Sequence, residues 1–287
     1  LSPIRYLEFP VFSASMQRIL EILNTESEIK EKSNPIKELK DGSISFDNVS
    51  FIYPKSNEKT LKNINFKVNS GEILGIIGST GSSKSTLVQL IPRLYDATDG
   101  SVTVGGADVR DYDIKSLRDQ VAFVLQKNTL FSGTIRENMK WGNENATDEE
   151  IIAALKHAQA WEFVSQYEDG LEHRVEQGGD NFSGGQKQRL TIARALLKSP
   201  KVIILDDSTS AVDMATDAQI QRAFKENLGD VTTIIIAQRI ASIQHANRVI
   251  VLHEGEIEAI GNHEELMKSS PVYREIYESQ QKGVIGE

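Results

Sequence analysis

The chain has 287 residues, 39% of them hydrophobic and 25% charged, and its 32 Lys plus Arg against 41 Asp plus Glu give a formal net charge of −9. That length suits one large domain or a domain with an appendage; the apolar share excludes a disordered chain, and the acidic balance argues against a polyanion-binding surface. Cysteine is absent, which excludes a disulfide-stapled fold and a Cys-ligated metal, and the five histidines show no metal-ligand spacing.

No uninterrupted apolar stretch approaches the roughly 18 residues of a membrane span, and no signal-peptide pattern opens the chain. It starts at Leu1 rather than Met, so a piece of something longer is expected. In chain order, SASMQRILEILN sets Met16, Ile19, Leu20 and Leu23 at helical spacing behind a capping Ser13, which predicts an amphipathic helix from Ser13 to Asn24. A charged stretch with Pro35 and Gly42 follows and reads as a linker, placing a domain boundary near residue 40. Beyond it, β-type runs occur at Ile44 to Phe46, Ile64 to Val68, Ile73 to Ile77, Val121 to Leu125, Val202 to Leu205, Thr232 to Ile236 and Val249 to Leu252. Several are continuously apolar, as strands covered on both faces are, and helical patterns lie between them. The fold class is therefore α/β with a largely parallel sheet. Between Thr147 and Leu171 the chain turns helical and rich in Ala and Glu with no strand candidate, which indicates a helical insertion.

The strand candidate ending at Ile77 runs into GSTGSSKST, that is Gly78, Ser79, Thr80, Gly81, Ser82, Ser83, Lys84, Ser85 and Thr86, and then into the helical run LVQLIPRLY. A glycine-rich turn between strand and helix presents backbone N–H groups to phosphate oxygens, and the helix dipole adds to their pull. In the pattern G-x-x-x-x-G-K-[ST], Lys84 falls on the β- and γ-phosphates and Ser85 on Mg2+. Ser83 stands where the pattern has glycine. A positive φ there would cost a residue with a Cβ about 1 to 2 kcal/mol, and nucleotide affinity would fall about tenfold or more. Taken alone, the segment also reads as a serine-rich turn.

Further on, Val202 to Leu205 is an apolar strand ending in Asp206 and Asp207. Ligands of an open parallel sheet gather at the carboxyl ends of its strands, which places Asp206 to hold Mg2+ and Asp207 to face an attacking water; a solvated strand end has the same pattern. Ahead of it, residues 181–197 read NFSGGQKQRLTIARALL, a helix carrying Arg189 and Arg194 and opened by Ser183, Gly184, Gly185 and Gln186. The unpaired N–H groups of its first turn and the Ser183 hydroxyl make a second anion site.

With FSGGQ at residues 182–186, similar to that family's signature sequence, the chain resembles the nucleotide-binding domain of an ABC transporter from residue 41 to residue 280. The resemblance implies a P-loop NTPase fold of the ABC ATPase type, with a mainly parallel core sheet, an N-terminal antiparallel β part and a helical subdomain near residues 127–197. Residues 1–40 would be a linker and the end of a last transmembrane helix, and 281–287 a C-terminal tail. It further implies ATP and Mg2+ as ligands, Tyr53 of FIYP stacked on adenine, and Gln126 of AFVLQ touching Mg2+ and sensing the membrane part. Ser210 to Asp213 would cross a dimer interface, and Gln238 of IIIAQR stands where the family usually has a switch histidine. FSGTIRENMKWG, Phe131 to Gly142, and VEQGGD are similar to exporter-type domains, in which these parts face helices descending from the membrane. The implied partners are a second ABC nucleotide-binding domain and the coupling helices of a transmembrane domain, with no nucleic acid, at the cytoplasmic face of the cell membrane.

ABC domains resemble one another in pairing head to tail, so that one chain never holds a complete site. Here the signature is intact, but the usual glutamate after the magnesium aspartate is Asp207, whose shorter side chain leaves its carboxylate short of the water. Gln238 donates a hydrogen bond but carries no imidazolium charge and shuttles no proton. Both changes imply slow turnover; a misplaced base costing about 3 kcal/mol slows hydrolysis about a hundredfold. The combination resembles the degenerate half of a heterodimeric ABC exporter. Its phosphate side would hold ATP for long periods, while Ser183, Gly184, Gly185 and Gln186 complete a partner's competent site. A non-catalytic nucleotide-sensing or structural ABC module is the alternative.

Overall fold

The computed structural model describes residues 16–24, 27, 29–206, 216, 219–220, 222–224 and 229–285. Ser13, Asp207 and Ser210 to Asp213 lie outside the described residues. The chain divides into two units, Leu1–Glu31 and Lys32–Glu287. In the first, residues 16–23 are helical and the Asn24 N–H still donates to the Leu20 carbonyl at 2.9 Å, as the apolar spacing requires.

The second unit takes in residues 32–40, which read as linker in the sequence. Ile36 pairs with Tyr112 in a parallel bridge, and Leu39 is buried with its N–H donating to Gln120 Oε1 at 3.1 Å. One backbone bridge and one buried side chain in a charged stretch carry no periodicity, so pattern alone passes over them.

Strands β1 (Ile44–Phe51), β2 (Leu61–Val68), β4 (Asp99–Val104) and β5 (Ala107–Asp108) form an antiparallel sheet in the order β2-β1-β4-β5. The main sheet runs β12 (Glu256–Gly261), β11 (Arg248–His253), β3 (Ile73–Ile77), β10 (Thr232–Ile236), β9 (Val202–Asp206) and β6 (Val121–Val124). Every pair in it is parallel except β11 with β12. Alternate residues of these strands serve two cores, because side chains of a strand point to opposite faces in turn. Ile76, Ile204 and Ile234 join the core of the antiparallel sheet with Phe46 and Phe66, whose rings stack at 4.6 Å. Ile77, Ile203, Leu205 and Ile235 join the core that includes Ile151, Leu155, Leu190 and Ile192 of the helical part. Burial on both faces is the reason these strands are continuously apolar.

Differences from the sequence reading have local causes. β4 and β12 were not expected, since DGSVTV and EIEAIG mix polar residues into short runs. β1 continues past Phe46 because its register shifts between Phe46 and Val49, with Asn48 at φ 50°, and the shift breaks the alternation that a pattern search follows. The run expected through LVQLIPRLY is cut short: the helix is Lys84–Gln89 with its cap at Leu90, ahead of Pro92. At the other end, helix Pro271–Ile285 takes in residues 281–285, which the sequence reading set aside as a tail.

The helical part holds Ile135–Lys140, Asp148–His157, Trp161–Val164 and Gly184–Leu196. Capping boxes start the first two, Thr134 with Glu137 and Thr147 with Glu150, and the short ribbon of β7 (Gly133–Thr134) and β8 (Arg174–Val175) ties their base together.

Candidate functional site

Four neighbouring strands of the main sheet, β3, β10, β9 and β6, end at one edge. The pairing sets Ile236 of β10 opposite both Ile76 of β3 and Asp206 of β9, so the chain leaving each strand enters a shared space. There Gly78, Ser79, Thr80 and Gly81 follow β3, Asp206 closes β9, and Gln238 and Gln126 follow β10 and β6. Together with Lys84 and Ser85 these residues line a cavity of about 440 Å³, whose apolar part is Ile77, Ile236 and Ile276.

The loop after β3 is shaped by its own backbone. The Ser82 N–H donates to the Ser79 carbonyl at 3.1 Å, and the Leu87 N–H donates to the Ser83 carbonyl at 3.0 Å, the first intrahelical bond. A Cβ at Gly78 would run into the Leu252 carbonyl, so only glycine fits there. Ser83 has φ 73° and ψ 22°, the left-handed conformation, and its side chain makes no capping hydrogen bond. Residue 83 thus carries the backbone strain that a glycine would avoid, about 1 to 2 kcal/mol. Lys84 Nζ donates to the Gly78 carbonyl at 2.8 Å, the Ser79 carbonyl at 2.9 Å and Ser82 Oγ at 3.3 Å, which suspends its ammonium over the loop.

Ser85 Oγ donates to Asp206 Oδ1 at 3.1 Å, and Asp206 is buried. With the Gln126 carboxamide on the same cavity, a hydroxyl, a carboxylate and an amide oxygen converge, the hard donors that fit Mg2+. Thr86 is buried beside the loop, and its Oγ1 lies 2.9 Å from the Tyr53 hydroxyl. Tyr53 is half-buried, packed edge-on to Phe51 at 4.8 Å and Tyr95 at 5.3 Å, and stands next to the loop helix rather than among the residues that line the cavity.

Ser183, Gly184, Gly185 and Gln186 are elsewhere, at the start of helix Gly184–Leu196, with Ser183 and Gly184 exposed. Ser183 Oγ accepts from the Gln186 N–H at 3.2 Å, and Gln186 Oε1 accepts from the Ser183 N–H at 2.9 Å, a reciprocal capping box. Arg189 and Arg194 turn inward instead of toward this helix start. Arg189 donates to the Gln159 carbonyl at 2.8 Å, and Arg194 donates to the Thr129 carbonyl at 3.1 Å, where burial pushes its guanidinium below the usual value. Beside Arg194 opens a groove of about 440 Å³, in which Phe131 and Trp141 stack at 4.8 Å and both stay exposed, together with Leu125.

The ABC transporter family model matches residues 61–210, a span that includes the loop after β3, the capping box at Ser183 and Asp206. This chain belongs to the ABC transporter family. Among its relatives, YgaD of Bacillus subtilis (strain 168), named for multidrug export as an ATP-binding/permease protein, is 45% identical over 265 residues, 92% of this chain and 46% of that protein. An ATP-dependent lipid A-core flippase of Desulfotalea psychrophila (strain LSv54 / DSM 12343) is 42% identical over 272 residues, 93% of this chain and 46% of its own length. The solved structure of a bacterial Atm1-family ABC exporter with ATP bound matches with a TM-score of 0.88 at 30% identity, over 96% of this chain and 48% of that one. The chain spans about half the length of these curated relatives. It is an ABC ATP-binding domain homologous to those of exporters, with the ABC ATPase P-loop fold, and among the described residues no helix is long and apolar enough to cross a membrane.

Two residues of this ABC domain's site escaped the sequence reading, Ile276 in the cavity wall and Gln280 behind Gln238, both on helix Pro271–Ile285. Pro271 in the first turn and Val272, Ile276 and Tyr277 at helical spacing signal the helix. Its contact with the site has no local signal.

Proposed function

We propose that this domain binds Mg-ATP in the strand-end cavity, turns it over slowly, and lends its Ser183–Gln186 turn to the competent site of a second ABC nucleotide-binding domain in a membrane exporter. One observation carries this reading: the phosphate loop, Gln126, Asp206 and Gln238 share one cavity, while Ser183 and Gly184 stand exposed away from it. A partner's helix start is then the missing wall, and this chain's own start is free to serve the partner.

The roles follow from the donors. N–H groups of Gly78 to Thr86 cradle phosphate oxygens, and Lys84 exchanges the carbonyls it now holds for the β- and γ-phosphates. Ser85, Gln126 and Asp206 hold Mg2+, which when bound neutralises charge on the transferring phosphoryl group. Gln238 donates to the γ-phosphate without supplying positive charge, and Asp207 takes the place of a general base with too short a reach. Tyr53 offers its ring to adenine. The Phe131–Trp141 groove receives coupling helices of the transmembrane domain at the cytoplasmic face of the membrane, where closure of the paired domains pulls on them.

Phosphate release is measured for the chain alone and mixed with a partner domain carrying glutamate and histidine at the two altered positions. Little turnover is expected from the chain alone and substantial turnover from the mixture. The double change Asp207→Glu with Gln238→His raises turnover at this chain's own site about a hundredfold. A mixture that binds ATP yet releases no phosphate rejects the exporter reading in favour of a nucleotide-sensing module.

A further inference from the structure

Beyond the phosphate loop, the segment after β10 is held from outside the sheet. Gln280 Nε2 donates to the Gln238 carbonyl at 2.7 Å, and the Ile240 N–H donates to Gln280 Oε1 at 2.9 Å. Residues 238 and 239 belong to neither the strand ending at Ile236 nor the 3-10 turn Ile240–Ser242, and the turn's flanking Arg239 makes no side-chain cap. A carboxamide carries an NH2 donor and a carbonyl acceptor side by side, so one group bonds the backbone on both sides of Arg239. One helical turn before it, Ile276 forms part of the wall of the nucleotide cavity. Val272, Ile276 and Tyr277 pack on the core, so the helix face that presents Gln280 is anchored independently of it.

We propose that Gln280 is a positioning residue for Gln238: it fixes the backbone on both sides of Arg239, and so fixes where the Gln238 side chain meets the terminal phosphate of a nucleoside triphosphate. This rests on the nucleotide reading of the cavity and adds to it a discrimination. Nucleoside diphosphate has no terminal γ-phosphate to meet Gln238, so loosening the clamp weakens triphosphate binding selectively.

The test uses the 287-residue chain with Gln280→Ala, Gln238→Ala and the double variant, with Gln281→Ala, an exposed neighbour on the same helix, as the control. Affinities for MgATP and MgADP are measured by titration calorimetry, and hydrogen exchange of the Ile240 amide is followed without nucleotide. Gln280→Ala is expected to speed Ile240 exchange, to weaken MgATP by about three- to tenfold, the worth of one or two hydrogen bonds, and to leave MgADP unchanged. In the Gln238→Ala background it should add nothing. Gln280→Glu, which keeps the acceptor but loses the donor, should behave like Gln280→Ala for MgATP while retaining slow Ile240 exchange. Equal weakening of both nucleotides, or additive losses in the double variant, overturns the positioning role while leaving the nucleotide reading standing. Failure of the unmodified chain to bind MgATP, by contrast, overturns both.

Discussion

Ser83 and Ser183 each stand just before a helix, and the two starts are built in opposite ways. Ser183 has extended backbone, and its hydroxyl accepts from the Gln186 N–H while Gln186 reaches back to it. Ser83 has left-handed backbone and caps nothing. In the first case the serine stabilises its own helix. In the second the serine lends its helix no cap, and the strain at residue 83 is the cost of the loop's left-handed turn. The same residue type at the same position relative to a helix therefore separates a terminus built for stability from one built for a ligand. A third start follows the first pattern: Ser270 Oγ accepts from the Tyr273 N–H at 3.0 Å and donates to Glu258 at 2.6 Å, ahead of helix Pro271–Ile285.

The largest effect should come from Lys84→Ala, which removes the cation of the ligand-built start. Loss of charge-assisted bonds predicts at least about a hundredfold weaker MgATP binding by titration calorimetry, with the melting temperature little changed. Next, the burial of helix Pro271–Ile285 beyond its start at Ser270 can be probed by pH, since burial pushes the Tyr273 hydroxyl from 10.0 up to about 12. The folded state holds that proton more tightly than the unfolded chain, so stability is complete below pH 10 and is lost as pH rises toward 12. The loss amounts to about 2 to 3 kcal/mol by urea unfolding, and Tyr273→Phe should abolish that slope. Ser83→Gly should tighten MgATP about tenfold by relieving the left-handed serine; an unchanged dissociation constant would remove strain from the account. The smallest change is Ser183→Ala, which costs about 1 kcal/mol and lowers the melting temperature by about 2 to 4 °C without altering MgATP affinity of the lone chain. If Ser183→Ala instead weakened ATP binding, the two starts would not be divided as described.

What was legible in the sequence was whatever physics writes locally. β3 is legible to the residue because burial on both faces leaves it apolar, and β10 because two β-branched threonines lead into three isoleucines. The phosphate loop and Asp206 are readable because one follows and the other closes such a strand, whereas Gln238 comes only through the resemblance to the ABC family. β4 and β12 are not, since polar residues interrupt them, and the anchoring of residues 32–40 depends on the backbone bridge at Ile36 and on one buried side chain, Leu39, among charged neighbours. Arg189 and Arg194 stand out in the sequence only as charges on the helix after the glycine turn, and nothing local tells that each donates to a backbone carbonyl of its own subdomain. Gln280 lies 42 residues from the carbonyl it holds, a distance over which no pattern of neighbours speaks.

Among the described residues β6 is the last strand of the main sheet, and next to it in the chain Leu125, Phe131 and Trp141 are exposed. An open sheet margin next to bare aromatic rings is adhesive. Any preparation of this chain by itself will therefore tend to self-associate as its concentration rises, and mild detergent or a polar replacement at Trp141 will keep it monodisperse.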